Sequence, residues 1–405
     1  MFIVQILRWL LLGAGLWMLI PIVYLCMLSI SAILYTGRQR AIARATAEVA
    51  SYANFAILIP AHNEEVILRT LLDSLSQLDY PEDRYTVCVI ADNCTDRTAE
   101  LARATSRVKV YERFDAEKRG KGYALNWMWQ TLEEQQLIFD AYVILDADSV
   151  VVPTFLRSMN RELARGARAM QACNTVLNTS DSPSTALRWL ALTLMNHVRP
   201  LGRNGLGASS TLTGNGMCLS RALLVQYPWQ AYTLSEDYQY YLTLVEHGER
   251  VRYVPDAVVR SEMPTTFAQM RTQDIRWESS DGSQKGWLVA FKLLRAGFKG
   301  RDFARIEAVA ELLTPPLSFI VGWSLLVTLA SLLLWSPPAL LIGCILLSGL
   351  LCYIGTALVL ARPPRAVYAA LLHAPRFMLW KLWVYFVLRK SKKHTSVWVR
   401  TGRIG

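Results

Sequence analysis

The residues best suited to chemistry are acidic side chains that follow short apolar runs. Asp146 and Asp148 come directly after the apolar run 141–145, and Asp92 follows a second such run, 85–91. Two acidic residues one position apart can point into one pocket once the chain leaves the pleat of a strand. Carboxylates do not bind a diphosphate directly, because both are negatively charged, and they need a divalent cation between the two groups. The spacing therefore predicts that Asp146 and Asp148 hold Mg²⁺ or Mn²⁺ on a pyrophosphate.

An Asp-x-Asp triplet also occurs by chance, often in a solvated turn, but its place after an apolar run favours the metal-binding interpretation. The sequence contains neither a GxGxxG after the first predicted strand nor a GxxxxGK[ST] loop. It therefore lacks the usual phosphate-binding loops of dehydrogenases and ATPases. Its five histidines and seven cysteines show no metal-ligand spacing. The cysteines are interpreted as reduced, mostly buried thiols.

The elements that must position these carboxylates alternate between strand and helix patterns. Four apolar runs predict strands, at 55–60, 85–91, 108–111 and 141–145. Two amphipathic runs predict helices, at 64–78 and 95–105. Polar residues recur at the carboxyl ends of these strands, and in open α/β sheets that edge is where ligands bind. The predicted fold is an α/β domain over residues 50–305.

Hydrophobic segments flank this domain, in a chain of 405 residues that is 53% hydrophobic and only 19% charged. The uncharged run 9–34 exceeds the roughly 30 Å needed to cross a bilayer, and is too long for the core of a signal peptide. Two further spans are predicted at 312–335 and 339–361. The run 376–388 is short and contains Lys381, which predicts an interfacial helix, with a fourth, tilted span as the alternative.

The distribution of charge orients these segments. Arg38, Arg40 and Arg44 follow the first span against a single Arg8 before it, so the positive-inside rule places the α/β domain in the cytoplasm of a multi-pass protein of the cell membrane. Segment 363–405 has basic but no acidic residues, as is typical of contact with anionic lipids. No nucleic-acid motif accompanies the net charge of +11, so nucleic acid is not an expected partner. The predicted organisation is an anchor (1–36), the α/β domain, two membrane helices (312–361) and this basic segment.

Six short motifs occur in order, and together they resemble the family 2 glycosyltransferases with a GT-A fold, a group that includes cellulose, hyaluronan and poly-N-acetylglucosamine synthases. They are PAHNEE at 60–65, ADNCTD at 91–96, KRGKGYALN at 118–126, LDAD at 145–148, SED at 235–237 and QDIRW at 273–277. The resemblance covers about residues 55–280, and the flanking membrane segments agree with it. It implies inverting transfer of a sugar from a nucleotide-sugar.

The resemblance implies roles for the donor-binding residues. Ala61 and Glu64 would border the base and ribose, and Asp92 would contact the edge of a uracil-like base. Stretch 92–96 is also a plausible helix N-cap turn. Lys121 lies in a glycine-flanked loop whose backbone can approach a ligand closely. The alternative is that this loop is a solvated basic turn.

The remaining roles concern the reacting end of the donor and the acceptor. Asp146 and Asp148 would hold the metal and diphosphate, with Asp148 the direct ligand, and Asp237 would be the general base. Glu236 either assists binding of the donor or acceptor, or it is an acid at a helix start that the helix dipole stabilises. The other implied binding residues are Gly214 and Asn215 near the acceptor, and Gln273, Arg276 and Trp277, which alternatively belong to an amphipathic interfacial helix.

Two activities follow from the resemblance. The first is extension of a glycan from a UDP-sugar, as in exopolysaccharide biosynthesis, which the Gln-x-x-Arg-Trp motif favours. Three spans are few for a polymer channel within one chain, so a polymer product would need an oligomer or a separate export partner. The second is transfer of a single sugar to a membrane lipid or lipid-linked oligosaccharide. A catalytically silent nucleotide-sugar-binding partner is a third reading, disfavoured because all the expected acids are present.

Overall fold

The computed structural model of the chain describes residues 2–43, 51–265 and 282–390. The predicted motif at 273–277, and with it Gln273, Arg276 and Trp277, lies outside these residues, as does the chain beyond 390.

Strands and helices alternate through the central part of the chain. In chain order the elements are α1 (Phe2–Ala43), β1 (Phe55–Ala61), α2 (Leu68–Leu75), β2 (Tyr85–Asp92), α3 (Thr98–Arg103), β3 (Val108–Arg113), α4 (Lys121–Glu134), β4 (Ala141–Ile144), β5 (Ser149–Val151), α5 (Phe155–Ala164), β6 (Ala169–Val176), α6 (Pro183–Thr193), α7 (Arg199–Gly205), β7 (Met217–Ser220), α8 (Arg221–Gln226), α9 (Glu236–Glu246), β8 (Val251–Ser261), α10 (Gly282–Gly300), α11 (Phe303–Leu313), α12 (Leu317–Leu333), α13 (Pro337–Ala361), α14 (Arg365–Ala370) and α15 (Ala374–Lys390). A π-helical turn, Leu194–Val198, joins α6 to α7.

The strands form one mixed sheet in the order β3-β2-β1-β4-β7-β6-β8-β5. β3, β2, β1 and β4 are parallel, whereas β7 is antiparallel to both of its neighbours. The chain moves outward from β1 to β3 and then returns to the other side of β1 with β4, so the strand order reverses between β1 and β4. Ligands bind at the carboxyl ends of the strands beside such a reversal. Ala61, Asp92 and Asp146 all lie at that edge, which confirms the predicted α/β arrangement.

The predicted helices at 64–78 and 95–105 are shorter in the structure, at Leu68–Leu75 and Thr98–Arg103. The loops before them bind each other instead of starting the helices. The backbone N–H of Glu64 donates to Thr98 Oγ1 at 2.8 Å, and the N–H of Thr95 donates to Asn63 Oδ1 at 2.7 Å. Both donors would lack a partner in the first turn of a longer helix, and here a side chain from the other segment satisfies each of them.

The sheet is buried on both faces, as parallel strands with helices on both sides require. Alternate residues of β1 point to opposite faces. Ile57 and Ile59 pack with α2 and α5 in one core, whereas Ala56 and Leu58 pack in another with α4, α9 and α11. A third core joins α1, α6, α12 and α13.

Within the residues that the structure describes, two helices are long and apolar enough to cross a membrane by length and composition: Phe2–Arg38, within α1, and α13. The predicted span at 312–335 corresponds to α12, which qualifies as a third candidate only if it is counted as one span with α11, bent by 65° relative to it. The bend falls at Pro315 and Pro316, which lack the N–H needed to continue a helix.

A buried polar cluster connects α1 to the helices of the α/β domain. The guanidinium of Arg203 on α7 is 1% exposed and lies 2.8 Å from a carboxylate oxygen of Glu307 on α11. Arg203 also donates to the hydroxyl of Tyr241 on α9 at 2.8 Å. Tyr24 on α1 donates to Glu307 at 2.6 Å. The cluster therefore ties the first long apolar helix to α9.

Candidate active site

The ammonium group of Lys121 lies among the acidic residues that the sequence singled out. Its Nζ donates to Asp146 Oδ1 at 2.5 Å and to the carbonyl oxygen of Gly214 at 2.7 Å, and it lies 4.0 Å from Glu236 Oε1. Burial lowers the pKa of Lys121, but the charges of Asp146, Glu236 and Asp237 outweigh this and raise it. Lys121 is thus a fixed cation at the first turn of α4, not a solvated turn residue.

Asp146 is positioned by a side chain from a different part of the sheet. Its backbone N–H donates to Asn215 Oδ1 at 3.1 Å. The amide of Asn215, which is 2% exposed, donates in turn to Ser149 Oγ at 2.8 Å and Ser261 Oγ at 3.0 Å. Asn215 therefore holds the loop after β4 against β5 and β8, and its predicted part in an acceptor pocket stays a prediction.

Gly214 brings the loop before β7 against Asp237. Its φ is +78°, and a Cβ at this position would lie 3.1 Å from Asp237 Oδ2 and 3.6 Å from Lys121 Nζ. The positive φ disfavours any L side chain there. Gly214 thus allows the backbone to contact both a carboxylate and the ammonium group.

Glu236 and Asp237 form the first turn of α9, where the helix dipole favours negative charge. The backbone N–H of Tyr238 donates to Asp237 Oδ1 at 2.8 Å. Burial raises the pKa of Glu236 to about 7, against the opposing charge of Lys121. Burial also raises the pKa of Asp237, against the Tyr238 N–H and Lys121. A carboxylate whose pKa is moved toward neutrality is a more effective proton acceptor.

The second group of predicted residues lies at the ends of β1 and β2. Ala61 ends β1 and is 3% exposed, and the thiol of Cys94 donates to its carbonyl oxygen at 3.4 Å. The backbone of Glu64 is held by Thr98, as described above. The adjacent carboxylate of Asp92 is buried, and burial raises its pKa, against the charge of Arg113. These residues occupy one edge of the sheet, beside Asp146.

Arg113 is a site residue that sequence reasoning missed. Its NH1 donates to Asp92 Oδ1 at 2.6 Å, and its NH2 donates to Asp115 Oδ2 at 3.0 Å and to the carbonyl of Lys118 at 2.7 Å. Arg113 therefore links Asp92 to the loop that leads to Lys121. Its partner Asp92 lies 21 positions away in the sequence. The sequence near Arg113 therefore shows no more than a basic residue at the carboxyl end of β3.

Asp146 and Asp148 are chemically suited to a hard divalent cation. In the described part of the chain, no group of three or more His, Cys, Asp or Glu residues could enclose a metal ion. Two carboxylates are nevertheless what Mg²⁺ commonly takes from a protein when substrate phosphates and water complete its coordination. Oxygen ligands of this kind also suit Mn²⁺. Lys121 already occupies Asp146 Oδ1, which leaves its second carboxylate oxygen for a cation.

The geometry combines three functions at one sheet edge. Asp237 is a half-buried carboxylate with a raised pKa, Lys121 is a fixed positive charge beside it, and Asp146 and Asp148 can hold a cation. This arrangement can remove a proton at one point and stabilise negative charge nearby.

Comparison with known proteins gives the family context. A model described as "Glycosyltransferase like family 2" matches residues 53–280. The Bacillus subtilis protein named "Probable glycosyltransferase YdaM" is 27% identical over 259 residues, covering 60% of this chain and 57% of that protein. A beta-monoglucosyldiacylglycerol synthase from Nostoc sp. is 28% identical over 248 residues, covering 59% of this chain and 50% of that protein. The chain thus matches about half of the length of these relatives.

Among solved structures, the mannosyltransferase PcManGT from Pyrobaculum calidifontis, in complex with GDP-Man and Mn²⁺, has a TM-score of 0.49 and 16% identity, covering 93% of this chain and 98% of that chain.

Proposed function

Because the chain belongs to glycosyltransferase family 2, we propose that it transfers a sugar from a UDP-sugar to a growing glycan at the cytoplasmic face of the cell membrane, with inversion at the anomeric carbon. The observation that carries this proposal is the convergence of Asp237, Lys121, Gly214 and Asp146 at the carboxyl edge of the sheet. Hexosyl transfer needs a base for the acceptor and positive charge for the leaving diphosphate, and Asp237 and Lys121 would supply them.

In the proposed reaction, Asp237 accepts the proton of an acceptor hydroxyl as that oxygen attacks the anomeric carbon. The bond from this carbon to the diphosphate oxygen breaks as the new glycosidic bond forms, and the electron pair leaves with the nucleoside diphosphate. Burial keeps the pKa of Asp237 above its ordinary value, which moves the base toward the operating pH. Lys121 offsets the negative charge that the carboxylates and diphosphate bring together.

Asp146 and Asp148 would hold Mg²⁺ or Mn²⁺, which when bound supplies positive charge to the departing diphosphate. Ala61, Glu64 and Asp92 would bind the nucleoside, with Arg113 holding Asp92 in place. Gln273, Arg276 and Trp277 stay predicted donor and acceptor contacts.

We place the α/β domain, residues 50–305, in the cytoplasm between an anchor at 1–36 and the helices of 312–361, with 363–405 at the membrane surface. The apolar composition of α1 and α13 supports membrane insertion, and the arginines after α1 support this orientation. Donor sugars of the cytosol would then reach the sheet edge directly.

A second candidate is transfer of a single sugar to a membrane lipid. It is favoured by the likeness to the Nostoc protein named beta-monoglucosyldiacylglycerol synthase. The two candidates share the donor site and the base and differ in the acceptor.

The test is a screen of UDP- and GDP-sugars for nucleotide release by the full-length protein in lipid nanodiscs, with and without Mn²⁺, followed by mass analysis of the product. We expect UDP release that depends on the cation, and a ladder of added sugars. A single added sugar on lipid under excess donor would establish the second candidate. Nanodiscs without the protein are the control for background hydrolysis, and release equal to that control for every donor would contradict sugar transfer.

A further inference from the structure

A groove of about 910 Å³ lies outside the α/β domain, along α1. Its walls are the side of α1 from Leu19 to Arg38, the side of α13 from Cys344 to Cys352, and Gly205 and Leu206 at the end of α7. The volume falls within the roughly 300–1,000 Å³ typical of sites for small molecules. Nearly all of the lining side chains are apolar, and they belong mainly to the two helices that are long and apolar enough to cross a membrane.

The floor of the groove is set by close contact between α1 and α13. A Cβ at Gly349 would lie 2.4 Å from Ile22 Cγ2, so only glycine allows this approach. The thiol of Cys26 lies 3.7 Å from the Gly349 carbonyl oxygen. Small residues at helix crossings commonly permit such packing within a bilayer. Beside this crossing the helices leave space that their own side chains do not fill.

The opposite end of the groove is polar and positively charged. There α1 packs against α7, where Ser31 Oγ donates to the Gly202 carbonyl at 2.7 Å. Arg38 lines this end and is exposed, and no carboxylate in the described ranges forms an ion pair with it. Arg40 and Arg44 follow in the sequence. An anionic group at this end would therefore lie beside the Arg38 guanidinium.

The length of the groove suits a lipid of one leaflet. From Leu19 to Arg38, α1 extends about 28 Å at 1.5 Å per residue. One leaflet accounts for about 15 Å of the hydrocarbon core. The remaining length reaches into the headgroup region, where Arg38 is expected if α1 crosses the membrane as proposed.

We propose that this groove binds a phospholipid with an anionic headgroup from the cytoplasmic leaflet. Its acyl chains lie between α1 and α13, and its phosphate lies at Arg38. The lipid is a bound component of the protein and not the sugar acceptor. This inference rests on the membrane placement in the proposed function, but not on the identity of donor or acceptor.

The first test is native mass spectrometry of the full-length protein released from nanodiscs of phosphatidylcholine containing phosphatidylglycerol. Wild-type protein is expected to retain one phosphatidylglycerol. Ser348→Trp places a large ring in the groove and is expected to abolish retention, whereas Leu351→Trp, on an exposed side of α13 outside the groove, is expected to retain it. Equal retention by both variants would overturn the proposal.

The charge of the headgroup is tested separately. Arg38→Gln is expected to lower the preference for phosphatidylglycerol over phosphatidylcholine about 5-fold, as one basic residue at a membrane surface contributes about 1 kcal/mol. Arg365→Gln removes an exposed arginine that does not line the groove, and should leave the preference unchanged. An unchanged preference in Arg38→Gln would refute the anionic headgroup.

A measurement on the unmodified protein covers the case in which a variant fails to fold. Cys26, Cys344 and Cys352 line the groove, so phosphatidylglycerol added to the detergent-solubilised protein should slow their reaction with a maleimide, as followed by peptide mass analysis. The reaction of Cys94, in the α/β domain, should be unaffected. Equal rates at the groove cysteines with and without the lipid would contradict occupancy. None of these measurements uses a sugar donor, so a failure of sugar transfer leaves their outcome unchanged.

Discussion

Replacing Lys121 by methionine removes the cation that lies among Asp146, Glu236 and Asp237. Methionine keeps the length and apolar character of the side chain and lacks the charge. In the wild type, the charge of Lys121 lowers the pKa values of Glu236 and Asp237, against burial, which raises them. Without the cation both carboxyls should hold their protons to higher pH. Because a base must be deprotonated to act, the rate in the variant should begin to rise only at higher pH.

The size of this shift follows from the distance between Lys121 Nζ and Glu236 Oε1, which is 4.0 Å. Coulomb's law at an effective dielectric of about 20 gives an attraction of about 4 kcal/mol. This corresponds to about 3 pH units at 1.36 kcal/mol per unit, an upper limit because water and the neighbouring groups will rearrange. Burial raises the pKa of Glu236 to about 7 and that of Asp237 above its ordinary value, so the wild-type acidic limb is expected above the pH at which an ordinary carboxyl titrates. The limb belongs to the coupled pair of carboxyls.

The assay is the pH dependence of kcat/KM for UDP release. We expect the acidic limb of Lys121→Met to move upward by at least about one pH unit. Lys121→Arg keeps the charge and should leave the limb within a few tenths of a unit of the wild type. A limb at the wild-type pH in Lys121→Met, at whatever rate, would refute the electrostatic role assigned to this ammonium group.

Three further predictions concern other contacts. Arg203→Met leaves the buried Glu307 without its cationic partner and should lower the free energy of unfolding by about 3–5 kcal/mol. The double variant Arg203→Met with Glu307→Leu should recover most of the loss, and equal destabilisation of the single and double variants in thermal unfolding would contradict this. Arg113→Met removes the cation at Asp92 and should raise the KM for the donor about 10-fold or more, with little change in kcat. An unchanged KM would show that Arg113 has no part in donor binding. Chelation of divalent cations should abolish UDP release, and Asp148→Asn should raise the Mn²⁺ concentration needed for half-maximal rate; release that persists with chelator would exclude the metal role.

The parts of the site that the sequence predicts are those determined locally. Asp92, Asp146 and Asp148 follow apolar runs, and both the runs and the edge they share are visible without knowledge of the partners. The strand positions agree with the structure to within about two residues, as is usual for buried strands bounded by polar residues. Glu236 and Asp237 begin a helix, which their acidic character favours.

The parts that the sequence could not predict depend on contacts between distant residues. Arg113 and Asp92 pair across two strands, and Asn215 supports a loop 69 positions before it. Neither contact produces a periodic pattern in the sequence. The shortened helices have the same origin, since hydrogen bonds between these two distant segments hold residues before α2 and α3 outside the helices. The buried pair of Arg203 and Glu307 lies 104 positions apart and likewise has no local signature.

The central claim is that Asp237 removes the acceptor proton in a sugar transfer whose donor is held elsewhere on the sheet edge. The most direct test measures Asp237→Asn for both UDP-sugar binding, by calorimetry, and single-turnover transfer. We predict that donor affinity stays within a few-fold of the wild type while transfer falls by about 10²–10⁴-fold, the usual contribution of a positioned base. Transfer at the wild-type rate in Asp237→Asn would contradict the claim, and so would loss of donor binding in step with loss of transfer.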